Sequence, residues 1–202
     1  MESLRQEARR AKGGGIVAIA ASAGGIVALG RVLARLPAEF AVPVVIVQHL
    51  DPRHDTVIAE VLERSATMTV KLAEDNERAA PGTIYVAPPN RHLLVGRGGL
   101  LTLSTREPLH FHRPSADLLF ESVATAYGSA AVACVLTGTG DDGAAGVRAV
   151  KSRGGTVIAE DPGSAEFNGM PVAAINTGAV DFVLPLGEIS AVLSDVVKAG
   201  SS

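Results

Sequence analysis

Apolar residues in this chain fall into short unbroken runs, separated by stretches where they recur every three or four positions. Ile16-Val-Ala-Ile-Ala-Ala21, Val44-Val-Ile-Val-Gln48 and Ala131-Val-Ala-Cys-Val-Leu136 are the clearest runs. Small and β-branched residues without polar interruption predict strands covered on both faces, as in a parallel sheet. After the first run, Ile26, Leu29, Val32, Leu33 and Leu36 keep helical spacing, with Arg31 and Arg35 on the other side. This predicts an amphipathic helix closing near Pro37.

The same alternation continues. Asp51-Pro-Arg-His-Asp55 is a polar turn, with Asp55 or Thr56 placed to cap a helix to about Ser65. Strands are predicted over 68–71 and 83–87, either side of an acidic loop over 74–82. Residues 92–95 and 100–103, joined by Gly96-Arg-Gly-Gly99, predict an antiparallel hairpin. A helix over 115–127 should face inward through Leu118, Leu119, Ser122 and Val123, with Ser115 as cap and Asp117 as first-turn acid. A helix over 144–153, a strand over 156–159, a helix from Gly169-Met-Pro171, a strand over 182–184 and a helix over 188–198 complete the chain. The expected fold class is α/β: a doubly wound, mostly parallel sheet with an antiparallel hairpin, in a single domain. That domain should span 16–202, after a charged, flexible tail over 1–15 that ends in Gly13-Gly-Gly15.

Composition narrows the function classes. The 47 % apolar content comes from Ala, Val, Ile and Leu with no Trp, which suits a buried parallel sheet. A net charge of −3 without a basic stripe makes nucleic acid a poor partner. The single cysteine, Cys134, lies in an apolar run, so it forms no internal disulfide and is expected as core filler. No stretch approaches the roughly 20 apolar residues that cross a bilayer, and the charged start does not resemble a signal peptide. A cytoplasmic protein without membrane insertion is the expectation.

The candidate chemistry collects where parallel sheets place ligand sites, beyond the carboxyl ends of strands. Ser22, His49 and the Asp141-Asp142 pair each lie in the turn after a buried run. Nucleophile, base and orienting carboxylate can therefore meet on one rim, as a Ser-His-Asp triad requires. Each has a plainer reading. Ser22 suits a helix cap, His49 a structural histidine, and Thr137-Gly-Thr-Gly-Asp-Asp-Gly143 a phosphate loop or a tight turn. The paired aspartates would repel a phosphate. His110-x-His112 offers two metal ligands, but no adjacent carboxylate or cysteine completes a set.

Taken in order, Ala21-Ser22-Ala-Gly-Gly25, Val47-Gln-His49-Leu50, Tyr85-Val-Ala-Pro88, His112-Arg-Pro-Ser115, Leu136-Thr-Gly-Thr-Gly-Asp-Asp-Gly143 and Gly169-Met-Pro171 resemble the catalytic domain of CheB-type chemotaxis methylesterases. The resemblance runs from about Ile16 to the terminal helix. It implies hydrolysis of glutamate γ-methyl esters on chemoreceptor cytoplasmic helices, often with glutamine deamidation, and needs no metal or organic cofactor. It implies Ser22 as nucleophile, His49 as general base and Asp142 as the residue that orients His49. Backbone N–H groups of Ala23 and Thr139 are the implied oxyanion donors, and Gly24 and Met170 the implied substrate contacts.

Two departures stand out. Ala23 replaces a threonine common in the family, which removes a hydroxyl hydrogen bond on the order of 1 kcal/mol and predicts tuned activity. Only 15 residues precede Ile16, so the family's receiver domain is missing from this sequence and a separate receiver protein is an expected partner. Two other readings remain open: a non-catalytic regulatory or scaffold module that kept the fold, and a nucleotide-binding protein. The second lacks a phosphate-binding lysine motif and a dinucleotide fingerprint.

Overall fold

In chain order the elements are β1 (Ile16–Ala21), α1 (Gly25–Leu33), β2 (Val44–Gln48), α2 (Ile58–Glu63), β3 (Thr69–Leu72), β4 (Thr83–Val86), β5 (His92–Val95), β6 (Leu101–Ser104), α3 (Ala116–Tyr127), β7 (Ala131–Val135), α4 (Ala144–Ser152), β8 (Thr156–Glu160), α5 (Gly169–Asn176), β9 (Phe182–Leu184) and α6 (Leu186–Gly200). This computed structural model describes residues 14–50, 56–109 and 111–200. The N-terminal tail through Gly13, the 51–55 turn and His110 lie outside the described residues.

Seven strands form one sheet in the order β3-β4-β2-β1-β7-β8-β9, and every pairing is parallel. β5 and β6 form a separate antiparallel hairpin, with His92 opposite Ser104 and Val95 opposite Leu101. The chain winds outward from β1 through β2 to β4 and β3, then returns to β7 on the other side of β1. The switch point therefore lies between β1 and β7, where open α/β sheets place their ligands.

The central strands are buried on both sides, and strand alternation divides their side chains between two cores. Val17, Ile19, Val44, Ile46 and Cys134 pack with Leu29 and Leu33 of α1, Leu62 of α2 and Leu193 of α6. Ile16, Ala18, Val45, Ala133 and Val135 pack on the opposite face with Phe120 of α3, Val150 of α4 and the hairpin residues Leu93 and Leu101. Burial pushes the Cys134 thiol far above its ordinary value, consistent with a filler of the sheet core.

Two expectations shift. The buried residues of α3 include Ala116, Asp117, Leu119, Phe120, Val123 and Ala124, while Leu118 and Ser122 are only half-buried. The inward face is rotated toward Phe120 because α3 packs on α4 as well as on the sheet: a Cβ at Gly146 would stand 2.6 Å from Phe120 Cβ. The second shift concerns Ser22. The N-cap of α1 is Gly24, at φ 75°, and no side chain among the described residues caps that helix. A left-handed N-cap suits glycine, and it leaves the Ser22 hydroxyl out of any capping role.

Candidate active site

The sheet register sets Ser22 beside His49. Ala21 pairs with Gln48, and the ladder continues one step further, with His49 N donating to Ala21 O at 3.1 Å. On the other side of β1, Ser22 N donates to Thr137 O at 3.0 Å, which ties the Ser22 turn to the loop after β7. Three adjacent central strands thus deliver Ser22, His49 and the 137–143 loop to one rim. Ser22 and His49 line the same shallow depression, together with Gly24, Gly25, Ile26 and Leu50.

Of the two adjacent aspartates, Asp141 is exposed and Asp142 is buried. Asp142 Oδ2 accepts from His49 Nε2 at 2.9 Å and from Ala116 N at 2.7 Å; Oδ1 accepts from Ser115 Oγ at 2.9 Å and Asp117 N at 3.0 Å. The carboxylate therefore sits on the N-terminus of α3, where free N–H groups and the helix dipole favour negative charge. Asp117 returns the arrangement: its Oδ1 accepts from Gly143 N at 2.9 Å and Gly146 N at 2.7 Å, at the N-terminus of α4. Each helix supplies or lies beside the carboxylate that caps the other. Burial raises both carboxyls. For Asp142, the His49 hydrogen bond and the N–H groups of Asp117 and Ala116 outweigh burial and hold it below the usual carboxylate value. For Asp117, burial, aided by the neighbouring Asp142 charge, leaves it above that value.

With Nε2 committed to Asp142, the His49 proton is assigned to that nitrogen, and Nδ1 keeps its lone pair. Nδ1 is buried and has no hydrogen-bond partner among the described residues. The His112 ring stacks on His49 at a centroid distance of 4.2 Å and 11° between planes. One donor atom from each of His49, His112 and Asp142 lies within 4.8 Å of the others. Yet a metal ion lies in the ring plane of each histidine that binds it, and two nearly parallel stacked rings do not share an in-plane point. The stack instead braces the face of the His49 ring.

The 137–140 loop is held from beneath. Thr137 N donates to the buried Glu160 carboxylate at 2.8 Å, and Thr137 Oγ1 joins Ala23 O to the backbone of Phe167. Thr139 is exposed, and no hydrogen bond from Thr139 N or Ala23 N is found among the described residues. Both are free to donate to a ligand. The Thr137–Gly143 loop makes a poor phosphate cradle, because carboxylates of Glu160 and Asp117 already take two of its N–H groups. Met170 is buried beneath Gly138, where a Cβ would collide with its Sδ and meet Ser22 Cβ at 2.9 Å, so it supports the Ser22 turn from within the fold.

Sequence reasoning brought forward Ser22, His49 and Asp142, and the fold joins His49 to Asp142 with Ser22 in the adjoining turn. It treated Ser115 and Asp117 as helix-terminal residues, and weighed His112 only as a metal ligand and as part of a family motif, not as a neighbour of His49. The signal for all three was present in the His112-Arg-Pro-Ser115 motif, two residues ahead of Asp117.

Comparison with known proteins supplies the family. Residues 17–193 match the CheB methylesterase family model. A Leptospira interrogans protein, whose name carries methylesterase and glutaminase activities, is 40 % identical over 174 residues, 86 % of this chain and 90 % of that protein. A Myxococcus xanthus protein named protein-glutamate methylesterase/protein-glutamine glutaminase 4 is 40 % identical over 184 residues; these cover 91 % of this chain but 52 % of that protein, so the chain spans about half its length. The crystal structure of the Thermotoga maritima CheB methylesterase catalytic domain superposes with a TM-score of 0.88 at 38 % identity, covering 91 % of this chain and 99 % of that one. The family-model match, the identity to these relatives and the shared fold lead to one conclusion: the chain belongs to the CheB methylesterase family.

Proposed function

We propose that this chain is a protein-glutamate methylesterase that hydrolyses γ-methyl esters on cytoplasmic helices of chemoreceptors, with Ser22, His49 and Asp142 as its triad. One observation carries the reading. His49 donates through Nε2 to a buried carboxylate, keeps a free lone pair on Nδ1, and shares a depression with Ser22.

The reaction follows from that geometry. His49 Nδ1 takes the proton of Ser22 Oγ as the oxygen attacks the γ-carbonyl carbon. The negative charge moves to the carbonyl oxygen, where the N–H groups of Ala23 and Thr139 receive it; losing one such donor costs on the order of 3 kcal/mol of transition-state stabilisation. The tetrahedral intermediate collapses, and the departing methoxide takes the proton from His49 and leaves as methanol. A water molecule then gives its proton to Nδ1 and attacks the acyl carbon. Ser22 leaves with that proton, and the glutamic acid so formed gives its remaining proton to solvent and departs as the carboxylate. Asp142 stabilises the transient imidazolium and fixes its tautomer. A glutamine amide at the same position would release ammonia by the same steps. The depression is bordered by the exposed Ile26 and Val27, which suits a helical protein surface rather than a small enclosed substrate. No helix among the described residues is long and apolar enough to cross a membrane, which fits a cytoplasmic enzyme reaching a receptor's cytoplasmic part.

The test is methanol release from a methylated chemoreceptor cytoplasmic fragment. Release by the native chain, lost in Ser22→Ala with the fold intact, is the expected result. A folded native chain that neither releases methanol nor reacts with a serine-directed fluorophosphonate would move the reading to a non-catalytic module.

A further inference from the structure

Gln48 is the last residue of β2 and is 3 % exposed. Its Nε2 donates to Ser22 O at 2.8 Å and to His49 O at 3.0 Å. Both partners are carbonyls, so only the NH2 end of the amide can face them, and the side-chain orientation is fixed. Both amide hydrogens are thereby spent on the backbones of the two residues that must exchange a proton. We propose that Gln48 is a positioning residue that locks the nucleophile turn to the base turn; the inference rests on Ser22 and His49 being nucleophile and base.

A second observation separates this from a packing role. Gln48 Oε1 is buried and has no hydrogen-bond partner among the described residues. It lies against the backbone of Gly25, where any Cβ would collide with it. A buried acceptor without a donor is a stability cost, so a side chain kept for stability alone would be apolar here. Ser22 O has a second donor in Gly25 N at 2.9 Å, whereas His49 O has no other donor among the described residues. Loss of the amide thus frees chiefly the backbone that carries the base, and with it the approach of Nδ1 to Ser22 Oγ. Gln48 lies at the floor of the depression but is only 3 % exposed, so it offers a bound substrate little surface and its loss should act on kcat more than on KM.

The test compares Gln48→Met, of similar length but apolar, with the near-isosteric Gln48→Glu, which lacks both donors. Methanol release, the rate of Ser22 labelling by a fluorophosphonate, and Tm are measured for each. Expected are a fall in kcat and labelling rate of about 10- to 100-fold, a KM within about twofold of the native value, and a Tm for Gln48→Met equal to or above native. Activity of Gln48→Met within twofold of native would overturn the proposal. So would a loss of activity matched by a loss of Tm, or failure of both variants to fold, since each makes Gln48 structural. If the native chain labels at Ser22 but releases no methanol, the substrate reading fails while the labelling rates still decide the role of Gln48. If it does not label, the proposal falls with the nucleophile.

Discussion

Asp142 is a single side chain asked to satisfy four donors at once, two on each oxygen. Asp142→Asn keeps the shape but turns one acceptor into a donor. Whichever way the amide sits, one pair of donors then meets an NH2 group. If that pair includes His49, the imidazole must turn its lone pair toward the introduced amide and protonate Nδ1, the wrong tautomer for a base. The expected loss in kcat is on the order of 10⁴-fold, as for this substitution in serine-protease triads. An unsatisfied buried N–H beside it should cost about 1–3 kcal/mol of stability. Steady-state kinetics and thermal melts on the same preparation check both. Among the described residues the Ser22 hydroxyl makes no hydrogen bond and the His49 ring makes one, to Asp142 itself.

Two helices meet where Gly146 of α4 has no side chain. A Cβ there would lie 2.6 Å from Phe120 Cβ and 3.1 Å from Asp117 Cα, both on α3. Gly146→Ala must therefore push α3 and α4 apart, at a cost of about 1–3 kcal/mol. It should also lower kcat, because Gly146 N is one of the donors to Asp117 and the α3 N-terminus holds Asp142. Unchanged Tm and kcat in this variant would show that the pair is more loosely packed than its geometry indicates. This contact explains what was hard to anticipate about α3. Periodicity alone places Leu118 inward, but the register between two helices so far apart in sequence has no local trace, and it moves the buried arc to Phe120. The strands were easier, because burial on both faces leaves an unbroken apolar run. Ser22, His49 and Asp142 were legible because each closes such a run or follows it. Ser115, Asp117 and His112 join the site through contacts distant in sequence, and Gln48 in isolation is only a polar strand end.

Across the molecule, the buried carboxylates make stability depend on pH in two opposing ways. Asp142 is held below its ordinary value, so its stabilisation is complete above about pH 4 and is lost as pH falls through its folded value. Asp117 and Glu160 are raised, in both cases first by burial. They bind a proton more tightly folded than unfolded, so they penalise the native state at neutral pH and are relieved as pH falls toward about 4. Tm should therefore hold or rise between about pH 7 and pH 5 and drop below about pH 4. Melts across that range should show the rise reduced in Glu160→Gln, which keeps an acceptor for Thr137 N, and the acid drop reduced in Asp142→Asn. A native Tm that falls steadily from pH 7 would contradict the sign of the Asp117 and Glu160 shifts.

The exchange of caps between α3 and α4 bears on descent. A lineage that abandoned ester hydrolysis would gain nothing by keeping the Ser22 hydroxyl, yet it would still need Asp142 to hold the start of α3. Survival of that aspartate in a related sequence is thus weak testimony of catalysis. The serine is the residue to consult when such sequences are sorted into enzymes and retired enzymes.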